Sequence, residues 1–286
     1  MTEDAGWQPG PAWLFCPADR PDRYPKALGA ADVVILDLED AVAPDKKSAA
    51  RDAVRALVRD GVFDAERTVV RVNGADSAEQ PADLELIREL SIPRVMLAKS
   101  EQPQHIRTIA ADVVALLETA RGVEHARELA EPDNVVAMMW GADDLVASMG
   151  GTGSRRADGS YRDLARFARV RVLTAAKAAG LLALDAVHMD IPDTAGLAAE
   201  CEDAVASGFD ATVAIHPSQI PVIRSAYAPS TEQIDWAQRL LAHVREDRGV
   251  TTFEGRMVDG PIYQQAERVI RLAAATQAAP EEASDR

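Results

Sequence analysis

The chain has 286 residues, 47% of them hydrophobic, with 46 acids against 31 bases and a formal net charge of −15. That sign argues against a nucleic-acid partner, whose phosphates demand a basic surface, and against an anionic membrane face. The length suits a barrel of about 250 residues plus an extension.

The N-terminus from Met1 to Gly10 is acidic and lacks an apolar signal core. No uncharged run approaches the ~20 residues that span a bilayer, so a soluble, cytoplasmic protein is expected. Trp13–Cys16 reads as a first strand, stopped by Pro17. Seven apolar runs follow, each ending in polar residues. Val33–Leu36 runs into Asp37-Leu38-Glu39-Asp40, Val69-Val70 into Arg71-Val72-Asn73, and Val95–Leu97 into Lys99. Val113–Leu117 runs into Glu118, and Val135–Trp140 into Gly141-Ala142-Asp143-Asp144. Leu181–Leu184 runs into Asp185 and then His188, and Ala211–Ile215 into His216-Pro217. Short apolar runs bounded by turn signals read as strands buried on both faces. Helical spacing fills 45–58, 82–90, 120–130, 164–179 and 194–207, the last closed by Gly208. Eight strands mostly alternating with helices predict an α/β chain, a (β/α)8 TIM barrel over 11–220. The rival, a Rossmann-like sheet, lacks a GxGxxG after the first strand, and no GxxxxGK[ST] occurs.

After His216-Pro217, residues 232–244 read as an amphipathic helix, 247–261 as a loop and 262–275 as a last helix. Residues 221–277 therefore form a C-terminal helical extension, and the small polar segment 278–286 reads as a disordered tail. Cys16 and Cys201 belong to no CxxC pair and read as small core residues.

Polar residues at the C-terminal ends of barrel strands sit where such barrels place their chemistry. Glu118 and Asp144 end the fifth and sixth strands. Neighbouring strands lie about 4.8 Å apart, so the two carboxylates either share one hard cation, magnesium before calcium, or cap helix N-termini. Arg71 either grips a substrate carboxylate or pairs with Asp37, Glu39 or Asp40, and both can hold at once. The acid run Asp37-Leu38-Glu39-Asp40 needs cationic neighbours or a metal shell to avoid self-repulsion. Asp19, Arg20, Arg23 and Lys26 after the first strand, with Lys46, Lys47 and Arg51 after the second, form either a basic patch for phosphates or a solvated face. Lys99 offers a Schiff-base amine, with the metal pair as a competing electrophile. His188 and His216 read as satisfied rim or core groups. No GxSxG elbow exists, which removes a serine hydrolase.

Seven segments stand in a telling order: Trp13–Arg20, Ile35–Val42, Arg71–Asn73, Leu117–Arg121, Trp140–Leu145, Ile215–Ile220 and Phe253–Asp259. With them the chain resembles the citrate lyase beta-subunit-like proteins, including citryl-CoA, malyl-CoA and citramalyl-CoA lyases, and is similar to the stand-alone actinobacterial form. The resemblance implies a Mg2+-binding (β/α)8 barrel that assembles as a homotrimer. It implies metal ligands at Glu118 and Asp144 and a keto-acid ligand at Arg71. Glu118, Gly141 and Ala142 complete the substrate site, and Glu39 and Asp40 hold waters around the metal. Arg20 and Lys47 would approach coenzyme A phosphates. Asp259 would act as acid/base in the neighbouring subunit's site. One departure is Ala41, where the commoner form has glycine. The implied reaction is retro-Claisen cleavage of a 3-hydroxy-3-carboxy acyl-CoA to a 2-keto acid and acetyl-CoA. The alternatives are a partner-dependent, non-catalytic beta-like subunit, or a metal aldolase acting without CoA.

Overall fold

The computed structural model of the protein describes residues 7–244 and 249–277. The proposed tail, 278–286, lies outside the described residues. Eight parallel strands close a barrel in chain order: β1 Ala12–Pro17, β2 Val33–Asp37, β3 Thr68–Val72, β4 Arg94–Leu97, β5 Asp112–Leu117, β6 Val135–Trp140, β7 Leu182–Asp185 and β8 Ala211–Ala214. Its flanking helices are α1 Tyr24–Ala30, α2 Lys47–Arg59, α3 Gln80–Leu90, α4 Pro103–Arg107, α5 Ala120–Glu124, α6 Ala126–Leu129, α7 Ala142–Ser148, α8 Asp163–Ala178, α9 Thr194–Ser207 and α10 Ile220–Tyr227. The (β/α)8 expectation holds. The helix expected over 120–130 is two short ones, broken at His125. Among the described residues, no helix is long and apolar enough to cross a membrane.

Two cores follow from the strand period of two. Trp13, Val33, Ile35, Val69, Met96, Val114, Leu116, Ala137, Met139, Leu184, Ala211 and Val213 point inward and fill the barrel. Their neighbours, such as Val34, Leu36, Val70 and Val72, point outward and pack under the helices. Trp7 closes the N-terminal end, edge-on to Trp13 at 5.4 Å and under the Arg94 guanidinium at 4.4 Å.

One irregularity decides the rim. The β5–β6 register shifts between Val113 and Val114: Val113 pairs with Val135, but Val114 with Ala137. The extra residue, Val136, resets the parity of β6. Ala137 and Met139 then face inward, and Gly141 comes beside Glu118.

The expected extension, 221–277, begins within α10, which packs on the barrel, and continues as α11 Thr231–Val244, a hairpin of β9 Thr251–Phe253 and β10 Arg256–Val258, and α12 Gly260–Gln277. The segment expected as a loop thus contains a small antiparallel pair. Glu254 and Gly255 at its tip have φ of 47° and 77°, the left-handed pair of a two-residue hairpin. Ala237, Leu240, Val244, Val258, Tyr263 and Ala266 form the extension's own small core. Arg268 ties α12 to the barrel at the carbonyl of Phe209, before β8 and so near the N-terminal end.

Candidate active site

The inward parity continues past the core, so the last inward positions of several strands meet above it. A cavity of about 150 Å3 opens there. Arg71, Glu118, Asp143, Asp144, Gly141 and Ala142 line it together with the apolar Phe15, Leu116, Met139, Val187 and Met189. The ends of β3 and β5 and the start of α7 thus bring together Arg71, Glu118, Gly141, Ala142 and Asp144. Sequence reasoning missed the apolar wall, although the inward Trp13 two residues earlier marks Phe15 by the same alternation.

Arg71 is buried and makes the ion pair that the sequence left open. Asp37 faces it in register across β2 and β3. Its Nε and Nη2 donate to the two Asp37 carboxylate oxygens at 2.7 and 2.5 Å, and Nη1 lies 3.2 Å from Glu39. Asp37 also accepts the backbone N–H groups of Glu39 and Ala41, which folds the acid turn. The guanidinium stacks over Phe15 at 4.6 Å. All three guanidinium nitrogens of Arg71 therefore face protein carboxylates, and the residue also lines the cavity.

Glu118 is nearly fully buried. Its Oε1 accepts the backbone N–H of Lys99 at 3.0 Å. Among the described residues no donor reaches Oε2, which faces Gly141 and the cavity. Burial pushes the Glu118 carboxyl up to about 8; Arg71 opposes the rise, and the nearby Asp144 and Glu39 carboxylates add to it. Asp143 and Asp144 both lie in the first turn of α7; Asp143 accepts from Ser154 Oγ at 2.7 Å, whereas among the described residues no donor is found on Asp144, whose charge acts on Glu118.

Lys99 bridges the acid turn to this site. Its ammonium pairs with Glu39 and, at 3.4 Å, with Asp40. Burial alone would lower its pKa, but Glu39, Glu118 and Asp40 outweigh burial and hold it well above the usual lysine range. An amine kept charged in this way does not suit a Schiff base. Glu39 is buried, whereas Asp40 is exposed at the rim.

The basic patch is where the structure departs from expectation. Lys47 is only 8% exposed. Its ammonium donates to the carbonyls of Leu38 and Glu39 at 2.8 and 2.7 Å and to Asn73 Oδ1 at 3.1 Å. It braces the acid turn, with its ammonium engaged by these three acceptors. Arg51 is likewise taken, by Glu79 and Asp83 at 2.8 Å each. The residues after β1 do gather: Arg20, Arg23 and Lys26 line a groove of about 660 Å3 that shares Phe15 with the small cavity. Arg20 is half exposed there and pairs with Asp22 at 3.2 Å.

Asp259 lines neither cavity; its carbonyl caps the first turn of α12 by accepting from Tyr263 N–H at 3.1 Å. His188 is buried against Glu200 at 2.9 Å and accepts from Gln219 at its carbonyl. His216 lies on the groove and pairs with Ser218 at 2.7 Å.

Residues 12–217 match the family described as HpcH/HpaI aldolase/citrate lyase. The chain belongs to this family of carbon–carbon lyases. It is 56% identical to the citrate lyase subunit beta-like protein of Mycobacterium tuberculosis, over 92% of this chain and 96% of that one. It is 31% identical to human mitochondrial citramalyl-CoA lyase, over 93% and 86% of the two chains. The crystal structure of M. tuberculosis CitE in complex with magnesium, acetoacetate and coenzyme A superposes with a TM-score of 0.86 at 55% identity, covering 93% of this chain and 98% of that one.

The residues present fit a magnesium ion. Glu118 and Asp144 are hard oxygen donors, among the described residues no donor reaches Glu118 Oε2, and the cavity leaves room for water and substrate oxygens. Among the described residues no group of three or more His, Cys, Asp or Glu could hold a metal by itself. Magnesium usually binds through one or two carboxylates and fills its remaining positions from water and substrate.

Proposed function

We propose that this chain is a Mg2+-dependent acyl-CoA lyase that cleaves a 3-hydroxy-3-carboxy acyl-CoA to a 2-keto acid and acetyl-CoA. The observation that carries this reading is the junction of two cavities at Phe15. A small pocket with Arg71, Glu118 and Asp144 suits the keto-acid half. The larger groove flanked by Arg20, Arg23 and Lys26 suits a long anionic thioester arm. A metal aldolase acting without CoA has no use for that groove.

In this reading Glu118 and Asp144 hold the metal, which as a Lewis acid polarises the oxygens of the keto-acid half. Arg71 binds the substrate carboxylate while Asp37 and Phe15 hold the guanidinium in place. Gly141 and Ala142 present backbone beside Glu118 where the substrate sits. Glu39 and Asp40 hold water at the rim. The 3-hydroxyl loses its proton, the C2–C3 bond breaks, and its electron pair passes into the thioester as an acetyl-CoA enolate. Protonation at C2 gives acetyl-CoA. Arg71 lends positive charge near the developing anion. Asp259 is the acid/base, supplied by a neighbouring subunit of a homotrimer. Two buried, free cysteines fit a cytosolic setting.

The experiment is a panel of citryl-CoA, malyl-CoA and citramalyl-CoA offered to the isolated chain with Mg2+, with the free acids as controls. Release of a 2-keto acid and acetyl-CoA from at least one thioester supports the reading. Cleavage only after a partner protein is added favours the partner-dependent subunit. Cleavage of the free acids favours the aldolase.

A further inference from the structure

We propose that Lys99 is a positioning residue for the metal carboxylate Glu118, acting through its backbone rather than its side chain. The inference rests on the magnesium reading above.

Three non-glycine residues among those described have positive φ: Ser91, Lys99 and Glu254. Ser91 ends α3 as a left-handed cap, and Glu254 sits at the hairpin tip. Lys99, at φ 49°, closes no helix and turns no hairpin. A left-handed lysine is uncommon and persists where its surroundings over-determine it. Here they do. Ser100 N–H donates to the Leu116 carbonyl, and Ser100 Oγ to the Leu97 carbonyl, both at 2.9 Å. Two glycines press on the same turn. A Cβ on Gly122 would lie 2.4 Å from the Ser100 carbonyl oxygen, and one on Gly74 would lie 3.2 Å from that of Ala98 and 3.3 Å from Lys99 Cβ.

The product of this clamp is a single aimed donor. The Lys99 N–H holds Glu118 Oε1 at 3.0 Å. With one oxygen held, the carboxylate cannot rotate freely, and Oε2 remains on the Gly141 side facing the cavity. The ammonium leaves in another direction, to Glu39 and Asp40. Backbone and side chain therefore have separable tasks, and the backbone task depends only on how well residue 99 tolerates the left-handed region. Partners that orient a metal ligand in this way typically change metal affinity about 10–100-fold when lost.

The test compares Lys99→Gly, Lys99→Asn, Lys99→Ala and Lys99→Val, with Mg2+ affinity read by calorimetry on the full chain. All four lose the ammonium equally, so differences among them report the backbone. Glycine and asparagine adopt the left-handed region readily, alanine poorly, and β-branched valine worst. The expected order of affinity is Gly and Asn together, then Ala, then Val, with Val about tenfold or more below Gly. Equal affinity across the series, or Val binding as well as Gly, overturns the proposal. If Lys99→Val does not fold by circular dichroism, the Ala-to-Gly comparison decides. Wild-type protein that binds no Mg2+ would remove the metal reading and this inference together. Wild-type binding with a flat series would remove this inference alone.

Discussion

Gly141 lies directly against Glu118: a Cβ placed on the glycine would fall 2.8 Å from the glutamate Cβ and 3.1 Å from its Oε2. The glycine has φ −120° and ψ 126°, which any residue adopts, so space alone requires it. Gly141→Ala must push Glu118 aside. The expected outcome is a folded protein whose calorimetric Mg2+ affinity falls by about tenfold or more. Unchanged affinity would mean that Glu118 Oε2 does not face the ion.

Asp143 and Asp144 are adjacent acids with different tasks. Asp143 is held by Ser154 Oγ, whereas Asp144 lines the cavity with Glu118 and its charge acts on that carboxyl. Asp144→Asn is expected to lower Mg2+ affinity by at least about tenfold, and Asp143→Asn by about twofold or less. Titration of both variants checks the assignment, and a reversed order would exchange the two residues.

The buried Glu118 carboxyl predicts a pH dependence. Burial pushes its pKa up to about 8 from the ordinary 4.5. Cation binding needs the carboxylate, so a proton must leave below that pH. Apparent Mg2+ affinity should rise about tenfold per pH unit up to about 8 and then level off. The same shift acts on stability. Between about 4.5 and 8 the folded state holds a proton that the unfolded chain has released, so this group's contribution to stability falls as pH rises through that window. Mg2+ should offset the loss. Calorimetry in buffers of different ionisation enthalpy, with melts at several pH values, checks both.

Arg71 and Asp37 form a buried, two-pronged pair. Arg71→Lys keeps a charge but loses the fork. It should cost roughly 1–3 kcal/mol of stability, because Asp37 is left partly unmet. Binding of pyruvate to the Mg2+-loaded protein should weaken by about tenfold, with Mg2+ binding itself largely kept. Denaturant melts and ligand titration separate the two effects.

The barrel was legible because every strand is an apolar run cut off by polar residues, and the rim followed from the same cuts at Arg71, Glu118 and Asp144. What was not legible depends on contacts between distant segments. Lys47 looks like any solvated lysine at a helix start; only the fold turns it inward onto the Leu38 and Glu39 carbonyls. The Val113/Val114 register shift leaves no mark on composition, yet it brings Gly141 beside Glu118. The left-handed Lys99 is set by clamps from Leu116, Gly74 and Gly122, none of them near it in sequence. The β9–β10 hairpin has strands of three residues, too short for alternation to register.

In the proposed reaction the chain breaks a carbon–carbon bond and leaves an acetyl-CoA enolate. The most direct measurement is turnover of citramalyl-CoA or malyl-CoA in D2O with Mg2+, followed by mass spectrometry of the products. Retro-Claisen cleavage predicts a 2-keto acid and acetyl-CoA whose methyl group has gained deuterium from solvent. Free coenzyme A with the intact, undeuterated hydroxy acid would contradict it and mark the site as a thioester hydrolase.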